Sequence, residues 1–160
     1  GEILRRAHAG VLSSFKNKQS VGQANDGMDI ALTVWDKANK KLHYAGAMNP
    51  CFVVRGEQLI ELEANRRGIG GVAEENYSYS SQSIDLENGD MVYLFSDGYK
   101  DQFGGPKGKK FMISRFKKLL ISVSEKEAVE QYAVLENEFS EWRGDSEQID
   151  DVLLMGYRIN

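Results

Sequence analysis

The chain has little of the residue types that mark several specialised protein classes. It contains one cysteine, Cys51, and two histidines among 160 residues. A single cysteine rules out an internal disulfide and fits a reducing compartment such as the cytoplasm. No histidine lies near Cys51 in the sequence, and a catalytic thiol needs a neighbouring base. The sequence therefore predicts a buried, inert thiol rather than a cysteine nucleophile.

Long apolar runs and a positive net charge are also lacking. No apolar run approaches the roughly 20 residues that span a bilayer, and there is no signal peptide, although upstream segments could still anchor a parent protein. The formal net charge is -4, which is a poor match for nucleic acid or anionic lipid, so no nucleic-acid partner is expected. The lysines at 107–110 are interpreted as a solvated surface loop.

What the chain does contain is typical of one soluble globular domain. Hydrophobic residues make up 41% and charged residues 28% of the chain. The segment 2–16 has its apolar residues on one helical face, whereas residues 28–34 alternate with period two. The predicted elements are a helix at 2–16, a hairpin of strands 28–34 and 42–45, a second hairpin of strands 51–55 and 59–62, a strand at 91–95, two helices between 111 and 143, and a strand at 152–157.

Two details refine this expectation. Residues 91–95 form a continuous apolar run, which predicts a strand buried on both faces. Ser124 with Glu127 three residues later has the pattern of a capping box and predicts the start of the second late helix, whose aromatic residues, Tyr132 included, are expected in the core. Two consecutive hairpins with helices towards the ends predict an α+β fold with antiparallel sheets.

Two aspartates stand out because of their positions at strand ends. Asp97 follows the most apolar strand, and Gly98 after it is expected to allow a sharp backbone turn. Asp150 precedes the last strand, so both carboxylates meet at one sheet edge if the two strands are antiparallel neighbours. Two close carboxylates favour a hard divalent cation. Aspartates that cap turns produce the same spacing, so the residues alone leave both interpretations open.

Several sequence blocks carry a family resemblance. They cover nearly the whole chain and resemble the SpoIIE-type bacterial branch of the metal-dependent protein phosphatase family (protein phosphatase 2C, PPM). The Ser-Asp-Gly block after an apolar strand and the Asp-Asp pair before the last strand are the more specific parts. The blocks lie at residues 26–32, 44–50, 68–70, 94–105 and 148–153.

The resemblance implies a fold, a reaction and a set of metal ligands. The fold is an antiparallel β-sandwich flanked by helices, and the reaction is hydrolysis of phosphoserine or phosphothreonine by a water that two Mn²⁺ or Mg²⁺ ions activate. By resemblance, Asp97 and Asp150 are metal ligands, and Asp101 helps to hold a third, looser metal. Gly98 and Asp151 are expected to support these ligands from the surrounding backbone.

The sequence departs from the family at the first metal-binding block. An aspartate followed by Gly-His-Gly is expected upstream of the first helix, and neither His8 nor His43 has a glycine on each side. Residues 1–160 are therefore interpreted as the C-terminal part of an N-terminally truncated phosphatase domain. Such a piece is expected to bind metal poorly, to be weakly active or inactive, and to self-associate through unpaired strand edges.

The sequence also leaves other functions open. A non-catalytic signalling or interaction module with a degenerate phosphatase fold is the main alternative. A receiver-type or haloacid-type domain with Asp97 as nucleophile needs a parallel sheet, which the consecutive hairpins disfavour. The resemblance also implies a phosphorylated protein substrate such as an anti-sigma-factor antagonist, and a sensor domain N-terminal to the phosphatase domain in the parent protein.

Overall fold

The structure is a computed structural model that describes residues 1–16, 27–71 and 76–160. The polar, glycine-containing segment 17–27, which the sequence predicts to be a loop, thus lies almost wholly outside the described residues. The chain divides into two compact units, Gly1–Cys51 with Leu62–Leu86 and Phe52–Glu61 with Glu87–Asn160. In chain order the elements are α1 (Glu2–Lys16), β1 (Gly27–Met28), β2 (Ile30–Asp36), β3 (Lys41–Ala47), β4 (Cys51–Arg55), β5 (Gln58–Leu62), β6 (Ile69–Gly70), β7 (Gln82–Asp85), β8 (Met91–Phe95), α2 (Gly98–Asp101), β9 (Phe103–Gly104), β10 (Lys109–Lys110), α3 (Ile113–Val123), α4 (Ala128–Arg143) and β11 (Leu154–Arg158).

The first unit combines α1 with a three-stranded antiparallel sheet in the order β2-β3-β7 and a small β1-β6 pair. The predicted helix is confirmed, but Ile3 is exposed while Leu4 is buried. His8 is fully buried, and its Nδ1 accepts a hydrogen bond from the backbone N–H of Gly70 at 2.9 Å. This histidine therefore ties α1 to β6 as a packing residue. One buried cluster of this unit consists of Leu4, Ala45, Ala47, Ile69 and Tyr79.

The second unit packs α3 and α4 against a four-stranded sheet in the order β11-β8-β4-β5. Strand β8 is buried as predicted, with Val92 and Tyr93 almost inaccessible to solvent. Near the end of α4, Trp142 packs against Phe111, and its indole N–H donates to the carbonyl of Gln102 at 3.1 Å. The buried cluster consists of Phe52, Val54, Met91, Tyr93, Phe95, Tyr99, Phe111, Phe116, Leu120, Val123 and Leu135.

The predicted capping box is wrong. The Ser124 hydroxyl donates to the carbonyl of Ile121 at 2.9 Å, so this serine closes α3 instead of opening α4. Glu127 occupies the N-cap position of α4 without a side-chain hydrogen bond to the helix. Tyr132 was also expected in the core but is 66% exposed, because the helix turns Gln131 and Leu135 towards the sheet. By contrast, Gly144 ends α4 as its C-cap residue, with a positive φ of 52°.

Two strand boundaries differ from the sequence expectation because hydrogen-bond partners change within the run. The predicted strand at 28–34 is divided at Asp29, since β1 pairs with β6 whereas β2 pairs with β3. The last strand begins at Leu154 rather than residue 152, because the N–H of Leu153 donates to the Ser96 side chain instead of a backbone carbonyl. Strands β6 and β7 are not among the elements that the sequence predicts. In the described part of the chain, no helix is long and apolar enough to cross a membrane.

An ion pair connects β4 to the start of β8. The Arg55 guanidinium donates to both carboxylate oxygens of Asp90, at 2.9 and 2.7 Å, and Asp90 is 1% exposed. The same carboxylate accepts the N–H of Glu87 at 2.9 Å. A buried carboxylate is tolerated only when its charge is compensated, so this pair is required for the tight turn that leads into β8.

We expect Asp90→Asn to lower the free energy of unfolding by about 2 kcal/mol, since it removes a bidentate charged hydrogen bond and leaves Arg55 without its buried counter-charge. Urea denaturation monitored by circular dichroism measures this loss. Asp85→Asn is the matched control, because Asp85 pairs with Lys41 at an exposed position and should change the midpoint very little. Equal effects of the two substitutions would contradict this role for Asp90.

Candidate functional site at the β8–β11 edge

The antiparallel pairing of β8 and β11 determines where the candidate site lies. Leu154, the first residue of β11, is opposite Phe95, the last residue of β8. Asp97 follows β8 by two residues and Asp150 precedes β11, so both aspartates emerge at the same end of this strand pair. The expectation that the two strands are antiparallel neighbours is therefore confirmed.

Hydrogen bonds of Ser96 join the end of β8 to the segment that precedes β11. The Ser96 hydroxyl donates to the carbonyl of Asp151 at 2.8 Å and accepts the N–H of Leu153 at 2.9 Å. Its own backbone N–H donates to the carbonyl of Leu153 at 3.0 Å. Sequence reasoning treated Ser96 only as part of the Ser-Asp-Gly block. A small hydroxyl residue directly before Asp97 was the available signal for this bridging role.

Gly98 is required for close approach rather than for a sharp turn. It is the first residue of α2, and the neighbouring residue Asp97 has ordinary helical dihedral angles. A Cβ atom at position 98 would overlap the carbonyl oxygen of Asp151 and lie 3.3 Å from that of Asp150. The expected role of Gly98 in a sharp turn is therefore wrong. Because Gly98 has no side chain, the backbone of residues 150–151 can lie against the start of α2.

The carboxylates of Asp97 and Asp150 have few competing partners. Asp97 holds the N-cap position of α2, yet its side chain makes no capping hydrogen bond, and no ion pair involves it within the described residues. The Asp150 carboxylate accepts the N–H of Asp151 at 2.7 Å, and the Gln148 amide donates to the Asp150 carbonyl at 2.9 Å. Oxygen donors of this type suit Mg²⁺ or Mn²⁺. Residues 1–16, 27–71 and 76–160 contain no group of three or more His, Cys, Asp or Glu side chains placed to hold a metal ion. The two carboxylates therefore fit Mg²⁺ or Mn²⁺ in their chemistry, but they provide few ligands.

Asp101, the third aspartate of the sequence prediction, lies in ion pairs with two lysines. Its carboxylate oxygens are 3.0 Å from Nζ of Lys100 and 3.3 Å from Nζ of Lys110. Partial burial acts to raise the pKa of Asp101, but the hydrogen bonds and charges of the two lysines outweigh it and lower that pKa. Lys110 therefore belongs to an ion-pair cluster rather than to a purely solvated loop, whereas Lys107 is exposed.

Cys51 is a buried residue of the first unit. The residue is fully buried, and burial raises the pKa of its thiol to about 12. A thiol with such a pKa is almost entirely protonated at neutral pH and is a poor nucleophile. The prediction of a buried cysteine is confirmed.

Solved structures with a similar fold are phosphatase domains. The SiaA-PP2C domain of Pseudomonas aeruginosa matches with a TM-score of 0.86 and 27% identity, over 99% of this chain and 60% of that chain. The phosphatase domain of SpoIIE from Bacillus subtilis matches with a TM-score of 0.64 and 20% identity, over 98% and 65% of the two chains. The PPM Ser-Thr phosphatase MsPP from Mycobacterium smegmatis matches with a TM-score of 0.65 and 12% identity, over 99% of this chain and 72% of that chain. The fold is that of a PP2C-type phosphatase domain, and the chain spans less than two thirds of the first two structures.

The family comparison agrees with the structural one. Residues 1–160 match the family described as Stage II sporulation protein E (SpoIIE). This chain belongs to the SpoIIE family. A comparison with curated proteins finds no match. The α+β fold class and the family resemblance that the sequence predicted are both confirmed.

We expect Gly98→Ala to destabilise the protein and to displace the segment at 150–151, since the new methyl group overlaps a backbone carbonyl. Its unfolding midpoint should fall by an amount that corresponds to about 1–3 kcal/mol. Gly10→Ala is the matched helical control, because a Cβ atom at Gly10 meets nothing within 4 Å and an alanine favours the helix. A neutral or stabilising effect at position 98 would contradict the close-approach role.

Proposed function

We propose that this chain is part of a metal-dependent protein serine/threonine phosphatase that hydrolyses phosphoserine or phosphothreonine in a bacterial signalling protein. The observation that carries the proposal is the strand edge where Ser96 and Gly98 hold Asp97 beside the segment 150–151, in a chain of the SpoIIE family. In this view residues 1–160 correspond to the C-terminal part of the phosphatase domain.

The residues at the edge divide into ligands and supports. Asp97 and Asp150 would hold Mn²⁺ or Mg²⁺ through their carboxylate oxygens, and the bound ions would supply an activated water and charge stabilisation for phosphoryl transfer. Asp151 contributes its backbone, since its carbonyl accepts the Ser96 hydroxyl and its N–H orients the Asp150 carboxylate. Gly98 keeps the start of α2 against this backbone.

The same geometry supports weak metal binding by these 160 residues alone. Affinity for ions of this class depends on ligand number and preformed geometry, and two carboxylates with water are a minimal set. The absence of a three-donor cluster from the described residues also favours a second candidate function, a non-catalytic signalling module that keeps the phosphatase fold. Metal-dependent hydrolysis distinguishes the two.

The substrate and the regulatory context follow from the family resemblance. We propose a phosphorylated protein as substrate, with an anti-sigma-factor antagonist as the specific expectation. We also propose that a sensor domain precedes the phosphatase domain in the parent protein, which acts in the cytoplasm or at a membrane.

The first test measures Mn²⁺ binding by calorimetry and Mn²⁺-dependent hydrolysis of a phosphoserine peptide. Asp97→Asn and Asp150→Asn should each lower the Mn²⁺ affinity by at least about 10-fold, because each removes a charged donor from a small ligand set. Asp145→Asn is the matched control, since Asp145 is an exposed aspartate that lies beyond the end of α4.

The outcomes separate the proposals. Slow turnover that needs Mn²⁺ and disappears in Asp97→Asn supports a phosphatase with an incomplete ligand set. Rapid turnover with the same dependence would refute the weak-binding part but retain the reaction. No Mn²⁺ binding and no turnover, with the parent protein also inactive, would favour the non-catalytic module.

Asp101 is the proposed ligand of a third metal ion. Its ion pairs with two lysines explain why that metal ion would be bound weakly. A cation that binds there must displace the ammonium groups of Lys100 and Lys110. We expect Lys110→Met to raise the affinity of the weakest Mn²⁺ site, and Lys107→Met, which removes an exposed lysine from the same loop, to leave it unchanged. Paramagnetic broadening of the NMR signals of residues 99–102 during a Mn²⁺ titration reports this site. An unchanged or lower affinity in Lys110→Met would contradict the assignment of Asp101.

A further inference from the structure

The segment between α4 and β11 carries Asp150 without a helix or strand of its own. It covers residues 144–153, and residues 144–151 are all exposed. Exposed backbone outside regular elements opens easily, and it keeps one conformation only where other residues attach it to the core. The position of the Asp150 carboxylate therefore depends on the attachments of this segment.

The segment is attached on both sides of Asp150. Downstream, the Ser96 side chain bonds to the backbone of residues 151 and 153. Upstream, the side-chain amide of Gln102 donates to the carbonyl of Glu147 at 2.9 Å. Ser96 lies just before α2 and Gln102 lies directly after it, so the two attachments come from the two ends of one short helix. Asp150 thus lies between two fixed points of the backbone.

Gln102 is itself held firmly in the second unit. It is fully buried, and its backbone carbonyl accepts the N–H of Phe111 at 2.9 Å and the indole N–H of Trp142 at 3.1 Å. Its side-chain amide donates a second hydrogen bond, to the carbonyl of Phe103 at 2.9 Å. A side chain that packing and hydrogen bonds hold in one orientation also fixes the group to which it bonds. Gln102 therefore connects the carbonyl of Glu147 to the buried part of this unit.

The side-chain oxygen of Gln102 is unpaired, which distinguishes this residue from Gln131, another buried glutamine of the second unit. The Gln131 amide donates to the carbonyl of Lys126 at 2.9 Å, and its oxygen accepts the Tyr93 hydroxyl at 2.8 Å. The oxygen of Gln102 is buried and has no hydrogen-bond partner among the described residues. An unpaired buried oxygen costs stability, and such costs are typical of functional sites. What Gln102 contributes is its two donor bonds, one of which reaches the segment of Asp150.

We propose that Gln102 is a positioning residue for Asp150: its buried amide holds the carbonyl of Glu147 and thereby keeps the Asp150 carboxylate in place to bind a divalent cation. Gln102 acts through the backbone of residues 147–150 and does not itself touch the cation. The Gln148 amide stiffens the same stretch, because it donates to the carbonyl of Asp150 at 2.9 Å. A ligand that is held in place before the cation arrives loses less conformational entropy on binding.

The part of this inference that concerns the cation rests on the proposed function, whereas the attachment of residues 147–150 does not. The two parts are therefore measured separately. NMR relaxation of the full metal-free chain gives backbone order parameters for residues 147–151, which report how firmly the segment is held. Calorimetry gives the affinity for Mn²⁺.

The test replaces Gln102 with methionine, which is similar in length but has no N–H donor. Gln131→Met is the matched control, because it also removes a buried amide of the second unit that donates to a backbone carbonyl, but not one that bonds to the segment of Asp150. In the unmodified chain and in the control, residues 147–151 should have order parameters of about 0.85, which is typical of a rigid backbone. In Gln102→Met these values should fall below about 0.6, and the Mn²⁺ affinity should fall by about 10-fold.

A purely structural role of Gln102 predicts a different result. Both variants would then lower the unfolding midpoint, and the order parameters and the Mn²⁺ affinity would stay the same in both. Unchanged order parameters in Gln102→Met would overturn the proposal, and so would a loss of affinity in Gln131→Met as large as that in Gln102→Met.

Asp150→Asn separates this proposal from the proposed function. If Asp150→Asn lowers the Mn²⁺ affinity and Gln102→Met does not, the positioning role is refuted and the metal site remains. If neither substitution lowers the affinity, the metal site is refuted, and the role of Gln102 towards a cation is refuted with it.

A measurement on the unmodified chain keeps the proposal open to refutation if Gln102→Met fails to fold by circular dichroism. The side-chain amide protons of Gln102 should exchange with solvent at least about 10-fold more slowly than those of the exposed Gln148, because both are buried and hydrogen-bonded. Residues 147–151 should also be rigid without Mn²⁺. Equal exchange at the two glutamines, or a mobile segment in the unmodified chain, would overturn the proposal.

Discussion

The close approach between the start of α2 and the segment before β11 is the constraint on which the candidate site depends. Two groups make it possible, the hydroxyl of Ser96 and the missing side chain of Gly98. The Ser96 hydroxyl both donates to and accepts from the backbone of the neighbouring segment, and Gly98 leaves the space that this segment occupies. Because β8 is buried on both faces, this end of the strand cannot shift without disturbing the core. The position of Asp97 is therefore determined by packing several residues away.

The structure also distinguishes aspartates that stabilise the fold from those available for chemistry. Asp90 is neutralised by Arg55, and Asp101 lies between Lys100 and Lys110. Asp97 and Asp150 have no such cation within the described residues, although they lie in the same unit. Carboxylates that remain without a protein counter-charge at a strand edge are suited to an external cation. This contrast could not be inferred from the residue type, since all four positions are aspartate.

The sequence predicted the elements that have a strong local pattern and missed those that depend on distant partners. The apolar run of β8 and the helical spacing of α1 were sufficient to identify both elements. The capping pattern at Ser124 and Glu127 was misleading, because the Ser124 hydroxyl donates to a carbonyl of α3 and does not cap α4. Strand β6 escaped detection because its two residues pair with β1 across more than forty positions of chain. Asp97 and Asp150 were found from their strand-end positions, while Ser96 gained its role only from contacts that folding creates.

The distribution of tryptophan gives the molecule two separate optical reporters. The chain has two tryptophans, and each compact unit contains one of them: Trp35 in β2 of the first unit and Trp142 in α4 of the second. Trp142 also lies beneath the guanidinium of Arg115, 4.4 Å from its ring centroid, so its emission depends on the packing of α3 against α4. Replacing either tryptophan with phenylalanine leaves a single fluorophore, and the unfolding of each unit can then be followed without interference from the other.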